Sequence, residues 1–134
     1  MERPVTTVLL DTHVLHWWTS DSKRLSQPAI TAIQSADALA VAAITWFELA
    51  WLVQNGRIVI TLPVRAWLDA LSGHVESVPV DPAIATRAVA LPRTFPGDLA
   101  DRIIYATAVE RGWQVITKDE RLRTYTSPGH VTIW

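Results

Sequence analysis

Short aliphatic runs that stop at a polar helix start constrain this chain more than any other feature. Val5 to Leu10 ends at Asp11-Thr12, Ala38 to Ala42 precedes a helix opening at Thr45, and Trp113 to Thr117 ends at Lys118-Asp119. A continuous apolar run of this length reads as a strand buried on both faces, which requires helices above and below the sheet. Val75 to Val80 and Val131 to Trp134 are two further strands in this reading. The helices between them have legible ends. Thr12 to Trp18 is a short helix followed by a polar loop to Arg24; Ser26 caps a helix running through Pro28 to about Ala36; Gly56 closes the helix from Thr45. Ser72-Gly73 closes Pro63 to Leu71, Asp81-Pro82 opens a helix to about Leu91, Asp98 opens the longest one, and Gly112 ends it. Strands alternating with helices predict an α/β three-layer sandwich: a mostly parallel sheet of four to five strands, right-handed crossovers, and helices on both faces. The 134 residues suffice for one such domain, 1–134, with no internal repeat or linker.

Composition narrows the function classes. Nearly half the residues are apolar (49%) and 19% are charged, so the chain is expected to fold. Without cysteine it can build no disulfide scaffold, zinc ribbon or thiol nucleophile, and it suits a reducing compartment. No apolar run approaches the roughly 20 residues that span a bilayer, and Met1-Glu2-Arg3-Pro4 leads straight into the first strand. The expected location is the cytoplasm. A net charge of −1 argues against a protein that coats nucleic acid. Any nucleic acid must be held locally, with a metal in an acidic site or a second chain supplying positive charge. Seven tryptophans suggest that a partner covers part of the surface.

In an open parallel sheet the ligand crevice lies beyond the carboxyl ends of the strands. Asp11 follows the first strand directly, Glu48 lies in the first turn after the second, Asp101 lies in the first turn of the long helix, and Asp119 closely follows the fourth strand. Four carboxylates confined there cannot all stay ionised unless a cation neutralises them. Hard oxygen donors without cysteine or a histidine cluster select Mg²⁺ or Mn²⁺ over Zn²⁺. Each acid also has a local explanation. Thr45-x-x-Glu48 is a capping-box pattern and Asp98-x-x-Asp101 resembles one, Asp119 could be a turn residue, and Asp11 an N-cap. Capping does not require all four to share one edge of the sheet.

Four blocks carry a family resemblance: Val8 to Trp18, with Asp11-Thr12-His13; Ala43 to Ala50, with Glu48; Gly97 to Ala108, with Asp98 and Asp101; and Val115-Ile116-Thr117-Lys118-Asp119. In order and spacing they resemble the motif blocks of PIN domains over nearly the whole chain, and they are most similar to small bacterial toxins of the VapC type. The resemblance implies a PIN-like fold, an endoribonuclease dependent on Mg²⁺ or Mn²⁺, a homodimer, and a cognate antitoxin that lays a helix or tail over the site. It assigns Asp11, Glu48, Asp101 and Asp119 as the catalytic, metal-holding acids. Asp98 becomes a supporting or capping candidate, and Thr117 a candidate for orienting a water or phosphate. Lys118 stands where the family often shows Arg and keeps the charge without the planar fork. Arg102 and Lys118 are candidates for phosphate contact, or are solvated beside the acids. His13 and His16 read better as hydrogen-bonded edge groups than as ligands.

Such a site hydrolyses RNA phosphodiesters by activating water, leaving a 5′-phosphate and a 3′-hydroxyl. RNA over DNA rests on the resemblance alone. The alternatives are a DNA-directed 5′ nuclease and a catalytically idle interaction module of the same shape. A phosphoacceptor domain fits poorly, because Asp11 has no acidic neighbour and Asp81 precedes Pro82. Two structural expectations follow. Like-charge repulsion should make the metal-free protein more stable when one acid is removed, as in Asp119→Asn. The helix from Thr45 to Asn55 is apolar almost all round, so either neighbouring helices enclose it or a second chain covers a face that includes Trp46 or Trp51.

Overall fold

The structure is a computed structural model that describes residues 5–125 and 131–134. The reading of Met1 to Pro4 lies outside these residues. Five strands, β1 (Thr7–Leu10), β2 (Ala38–Ala42), β3 (Glu76–Val78), β4 (Gln114–Ile116) and β5 (Thr132–Ile133), form one sheet in the order β3-β2-β1-β4-β5. All four pairings are parallel. The chain thus winds outward from β1 to one edge and returns to build the other side. β1 and β4 are neighbours at the point where the direction of winding reverses.

Seven α-helices lie among the described residues: α1 (Thr12–Ser20), α2 (Gln27–Ser35), α3 (Ile44–Gln54), α4 (Val64–Ser72), α5 (Pro82–Ala90), α6 (Leu99–Arg111) and α7 (Glu120–Thr124). The polar loop expected to Arg24 is instead the last turn of α1 and a 3-10 turn, Ser22–Arg24. Ser26 and Asp81 cap α2 and α5 through their side chains, each with proline inside the first turn. Gly112 ends α6 at φ 69°, a left-handed conformation that costs glycine little.

Strand alternation distributes the core between two faces. Val8, Leu10, Val41 and Ile116 pack under Val14, Leu15, Ala29, Ile33, Leu49 and Leu71, from the side that carries α1 to α4. Leu9, Ala40, Ala42, Val78 and Val115 face the other way, against Ile84 and Ala88 of α5 and Ile104, Ala106 and Ala108 of α6. This is the expected three-layer sandwich. The strands are two to five residues long, and the edge strands β3 and β5 are among the shortest, which limits the open hydrogen-bonding edge. No helix among the described residues is long and apolar enough to cross a membrane.

Candidate active site

Parallel pairing sets Leu10 beside Ile116, and one step further the Asp11 N–H donates to the Ile116 carbonyl at 3.0 Å. Asp11 and Thr117 therefore emerge side by side beyond the sheet. The fully buried Thr117 donates its hydroxyl proton to Asp11 Oδ2 at 2.6 Å and accepts from the Asp119 N–H at 3.1 Å. A hydroxyl has one proton to give. Thr117 spends it on Asp11, so here it aims that carboxylate and has no hydroxyl proton left to give a phosphate. Asp11 occupies the N-cap position of α1 and makes no side-chain capping hydrogen bond of normal geometry. Burial pushes its carboxyl up; the Thr117 bond opposes that rise, and the nearby Thr12 and His13 N–H groups also favour the ionised form.

The capping-box reading of Glu48 also falls. α3 begins at Ile44, one residue earlier than expected, with Ala43 at the N-cap in helical geometry. Glu48 is consequently the fifth helical residue, not part of the first turn. Thr45 is buried inside the helix and its hydroxyl meets that of Thr12 at 3.1 Å, while Thr12 donates to Glu48 Oε1. Burial raises the Glu48 carboxyl, and the negative charges of Asp11 and Asp98 add to the rise.

For Asp98 and Asp101 the capping box is real. Asp98 Oδ1 accepts from the Asp101 N–H at 2.9 Å, and Asp101 Oδ2 accepts from the Asp98 N–H at 3.1 Å. Asp98 is exposed and acts as the cap. Asp101 does both jobs: it closes the box and lines the acidic cavity. Burial pushes its carboxyl up to about 7; the Asp98 N–H bond pulls it down, while the charges of Asp98 and Asp11 push it up. Gly97 makes room for this arrangement. A Cβ there would stand 2.3 Å from Asp101 Cβ and 2.8 Å from the Phe95 ring.

Asp119 behaves differently. Its Oδ1 caps α7 by accepting from the Arg121 N–H at 3.0 Å, and the Arg121 guanidinium bonds both oxygens, at 3.2 and 2.9 Å. That guanidinium holds the Asp119 carboxyl below the usual range and reaches Asp101 Oδ2 at 4.0 Å. The expectation that removing Asp119 relieves repulsion is therefore corrected: Arg121 already neutralises it.

All four acids, with Asp98, Lys118 and Arg121, line one cavity of about 490 Å³ beyond the carboxyl ends of β1 and β4. A larger hollow of about 700 Å³ between α5 and α6 is lined by aliphatic groups, two tyrosines and the Arg87–Glu110 ion pair, with none of these acids. Among the described residues no three His, Asp or Glu side chains are grouped closely enough to hold an ion as they stand. Thr117, Thr12, the Asp98 N–H and Arg121 each engage one of the acids. The donor chemistry nevertheless fits Mg²⁺ or Mn²⁺: all oxygen, with three carboxylates whose raised pKa a cation would relieve.

Arg102 is not at this site. Its guanidinium donates to the carbonyls of Ala88, Leu91 and Pro92 and lies 5.5 Å from the Phe95 ring, so it braces the loop before α6 and its candidacy for phosphate is withdrawn. Lys118 does line the cavity, with its ammonium 5.6 Å from the Trp17 ring. His16 packs edge-on to Trp67, and burial lowers its pKa. Thr12, Gly97 and Arg121 escaped the sequence reading. Only Arg121 left a signal, as a cation within one turn of Asp119.

An apolar groove of about 410 Å³ continues from the cavity, sharing His13, Glu48 and Asp98 with it and adding Phe47, Trp51 and Leu99. Phe47 is 66% exposed, Trp51 51% and Leu99 72%, so neighbouring helices do not enclose α3. Trp46, by contrast, is partly buried and donates its indole N–H to Ser77 at 2.7 Å.

A match to the PIN domain family spans residues 8–127. The chain is 56% identical over 130 residues to Ribonuclease VapC22 of Mycobacterium tuberculosis, covering 97% of this chain and all of that protein. Among solved structures, a toxin-antitoxin complex from Klebsiella pneumoniae aligns with a TM-score of 0.65 at 23% identity, over 95% of this chain and 96% of that one. VapBC-5 from Mycobacterium tuberculosis aligns at 0.63 and 23%, over 95% of both chains. These likenesses show the same fold.

Proposed function

Because the chain belongs to the PIN domain family, we propose that it is a single-domain, divalent-metal-dependent endoribonuclease and the toxin of a toxin–antitoxin pair. The observation that carries this reading is the convergence of Asp11, Glu48, Asp101 and Asp119 on one cavity at the reversal point of the sheet. The 56% identity to a protein named a ribonuclease supports RNA as the substrate.

These four acids would hold the ion. When bound, Mg²⁺ or Mn²⁺ lowers the pKa of water and stabilises charge on the attacking and leaving oxygens. The chain's own residues prepare for that. Thr117 holds Asp11, Thr12 holds Glu48 and the capping box holds Asp101, so each carboxylate faces the cavity from a supported position, and together they would have to close on an arriving cation. Arg121 has to yield Asp119 for that carboxylate to serve as a ligand. The groove of Phe47, Trp51 and Leu99 is the surface for an antitoxin helix or tail, whose placement beside Glu48 and Asp98 would close the cavity. We place the protein in the cytoplasm, as a homodimer when free of antitoxin.

Cleavage of cellular RNA by the purified protein tests the reading. Activity is expected with Mn²⁺ or Mg²⁺, lost in excess EDTA and in Asp11→Asn or Asp101→Asn, with products carrying 5′-phosphates. Robust cleavage in EDTA, or by both variants, overturns it.

A further inference from the structure

Trp17, in α1, lines the acidic cavity, and cations from two other segments gather on its ring. The Arg24 guanidinium, from the 3-10 turn, lies 5.0 Å from its centroid, and the Lys118 ammonium, from the link between β4 and α7, lies 5.6 Å away. The exposed His13 ring stacks on the same indole at 5.7 Å, nearly parallel at 22°. Of the other described cations, Arg65, Arg87, Arg111 and Arg121 each pair with a carboxylate and Arg102 is tied to carbonyls, while Lys23, Arg57, Arg93 and Arg123 have neither an ion pair within 4.0 Å nor an aromatic ring beneath them; what sets Arg24 and Lys118 apart is the ring they share. Among the described residues neither Arg24 nor Lys118 has an ion pair within 4.0 Å.

Two exposed like charges brought onto one aromatic ring repel each other, and a cation–π contact at an exposed site offsets only part of that repulsion. An anion arriving between them would turn that repulsion into attraction. In a protein of net charge −1, this puts local positive charge at the lip of the cavity that would receive a phosphodiester. An aromatic stack flanked by cations is the combination that holds an unpaired nucleotide, with the base on a ring and phosphates on the charges. A duplex cannot use it, because its bases already stack on one another.

We propose that Trp17, His13, Arg24 and Lys118 form a subsite for one unpaired nucleotide beside the scissile phosphate. The proposal rests on the ribonuclease reading and deepens it. The base extends the Trp17–His13 stack, while Arg24 and Lys118 hold phosphates of the strand on its way into the cavity.

Fluorescence anisotropy of a labelled 12-nucleotide RNA, bound to the cleavage-disabled Asp101→Asn protein in EDTA, tests this without reference to turnover. The single strand is expected to bind at least tenfold tighter than a duplex of the same sequence. Adding Arg24→Gln with Lys118→Gln should weaken binding about tenfold or more and flatten the salt dependence by about 1.4, at about 0.7 per phosphate contact on a single strand. His13→Ala should weaken binding at least fivefold with the salt slope unchanged, through the stack alone; this exposed residue serves where replacing the partly buried Trp17 could disturb the fold. Equal affinity for strand and duplex, an unchanged slope in the double variant, or absence of single-strand binding overturns the subsite. So does equipotent competition by an acidic peptide of the same charge, which would assign the cations to a protein. Cleavage by the unsubstituted protein in Mn²⁺ reports separately on the ribonuclease reading.

Discussion

Thr117 gives its single hydroxyl proton to Asp11 at 2.6 Å, across 106 residues of chain, and thereby joins the carboxyl ends of β1 and β4 at the base of the cavity. The bond aims Asp11 and partly offsets the burial that raises its pKa. Thr117→Val keeps the shape and removes the hydroxyl, leaving Asp11 less fixed and the Asp119 N–H without its partner. Mn²⁺ affinity, followed by calorimetry, should fall about tenfold or more, the usual scale for losing a group that orients a ligand. Thr117→Ser should retain most of it. Equal affinity in the valine variant would show that Asp11 needs no such guide.

Arg121 stands where the proposed metal would compete for Asp119. The guanidinium bonds both carboxylate oxygens and lies near Asp101, so a divalent cation would have to displace one positive charge before it gained that carboxylate. Arg121→Gln should therefore bind Mn²⁺ several-fold more tightly than the unsubstituted protein. It should also bring the Asp119 carboxyl back toward its ordinary pKa, which NMR titration of the metal-free protein can follow. Unchanged affinity would reduce Arg121 to a local partner of the α7 cap.

The strand ends and helix caps made most of this architecture legible from residues alone. Pro28 and Ser26, Asp81-Pro82, and Gly112 act at or beside their immediate neighbours, and so they could be read locally. Asp11, Glu48, Asp101 and Asp119 could be placed on one edge because strand order and connection rules are general. What stayed hidden is contact between distant segments. Thr12 reaches Glu48 over 36 residues, and Arg102 turns back onto the loop ahead of its own helix. Gly97 has an ordinary sequence setting, and its value appears only once Asp101 and Phe95 close on its missing side chain. The Asp119 expectation failed for a related reason: charge repulsion among acids was counted without the cation one turn away.

Metal-free stability should separate Asp101 from Asp119. The Asp101 carboxyl is raised from 3.8 to about 7, so the native state holds more protons than the unfolded chain between those values. This group's contribution to stability therefore rises as pH falls from about 7 toward 4, and above 7 its charge is a constant penalty. Asp101→Asn keeps the shape without the charge and should stabilise the metal-free protein at pH 8 by on the order of 2 kcal/mol, after allowance for solvent screening. Asp119 is lowered, so its contribution is present above 3.8 and is lost as pH falls through its depressed value. Asp119→Asn should leave stability unchanged or lower it. Melting curves in EDTA at pH 5 and pH 8 check both, and equal responses would mean that the acids act as one undifferentiated cluster.

The two tryptophans of α3 should part company. Trp46 is partly buried, packs on the core and donates to Ser77, so Trp46→Glu forces a charge against apolar neighbours and should cost folding itself. Trp51, on the same helix, is 51% exposed beside Phe47 at 66%, and Trp51→Glu meets solvent in the isolated chain. Its circular dichroism and melting should be near those of the unsubstituted protein. What it should lose is association, because closing a partner over the groove would bury an unpaired carboxylate between Phe47 and Leu99. Light scattering of the protein alone and of its mixture with the proposed antitoxin distinguishes which contact uses this face. If Trp51→Glu and Phe47→Glu both fold and both assemble as before, the exposed side of α3 is not an interface.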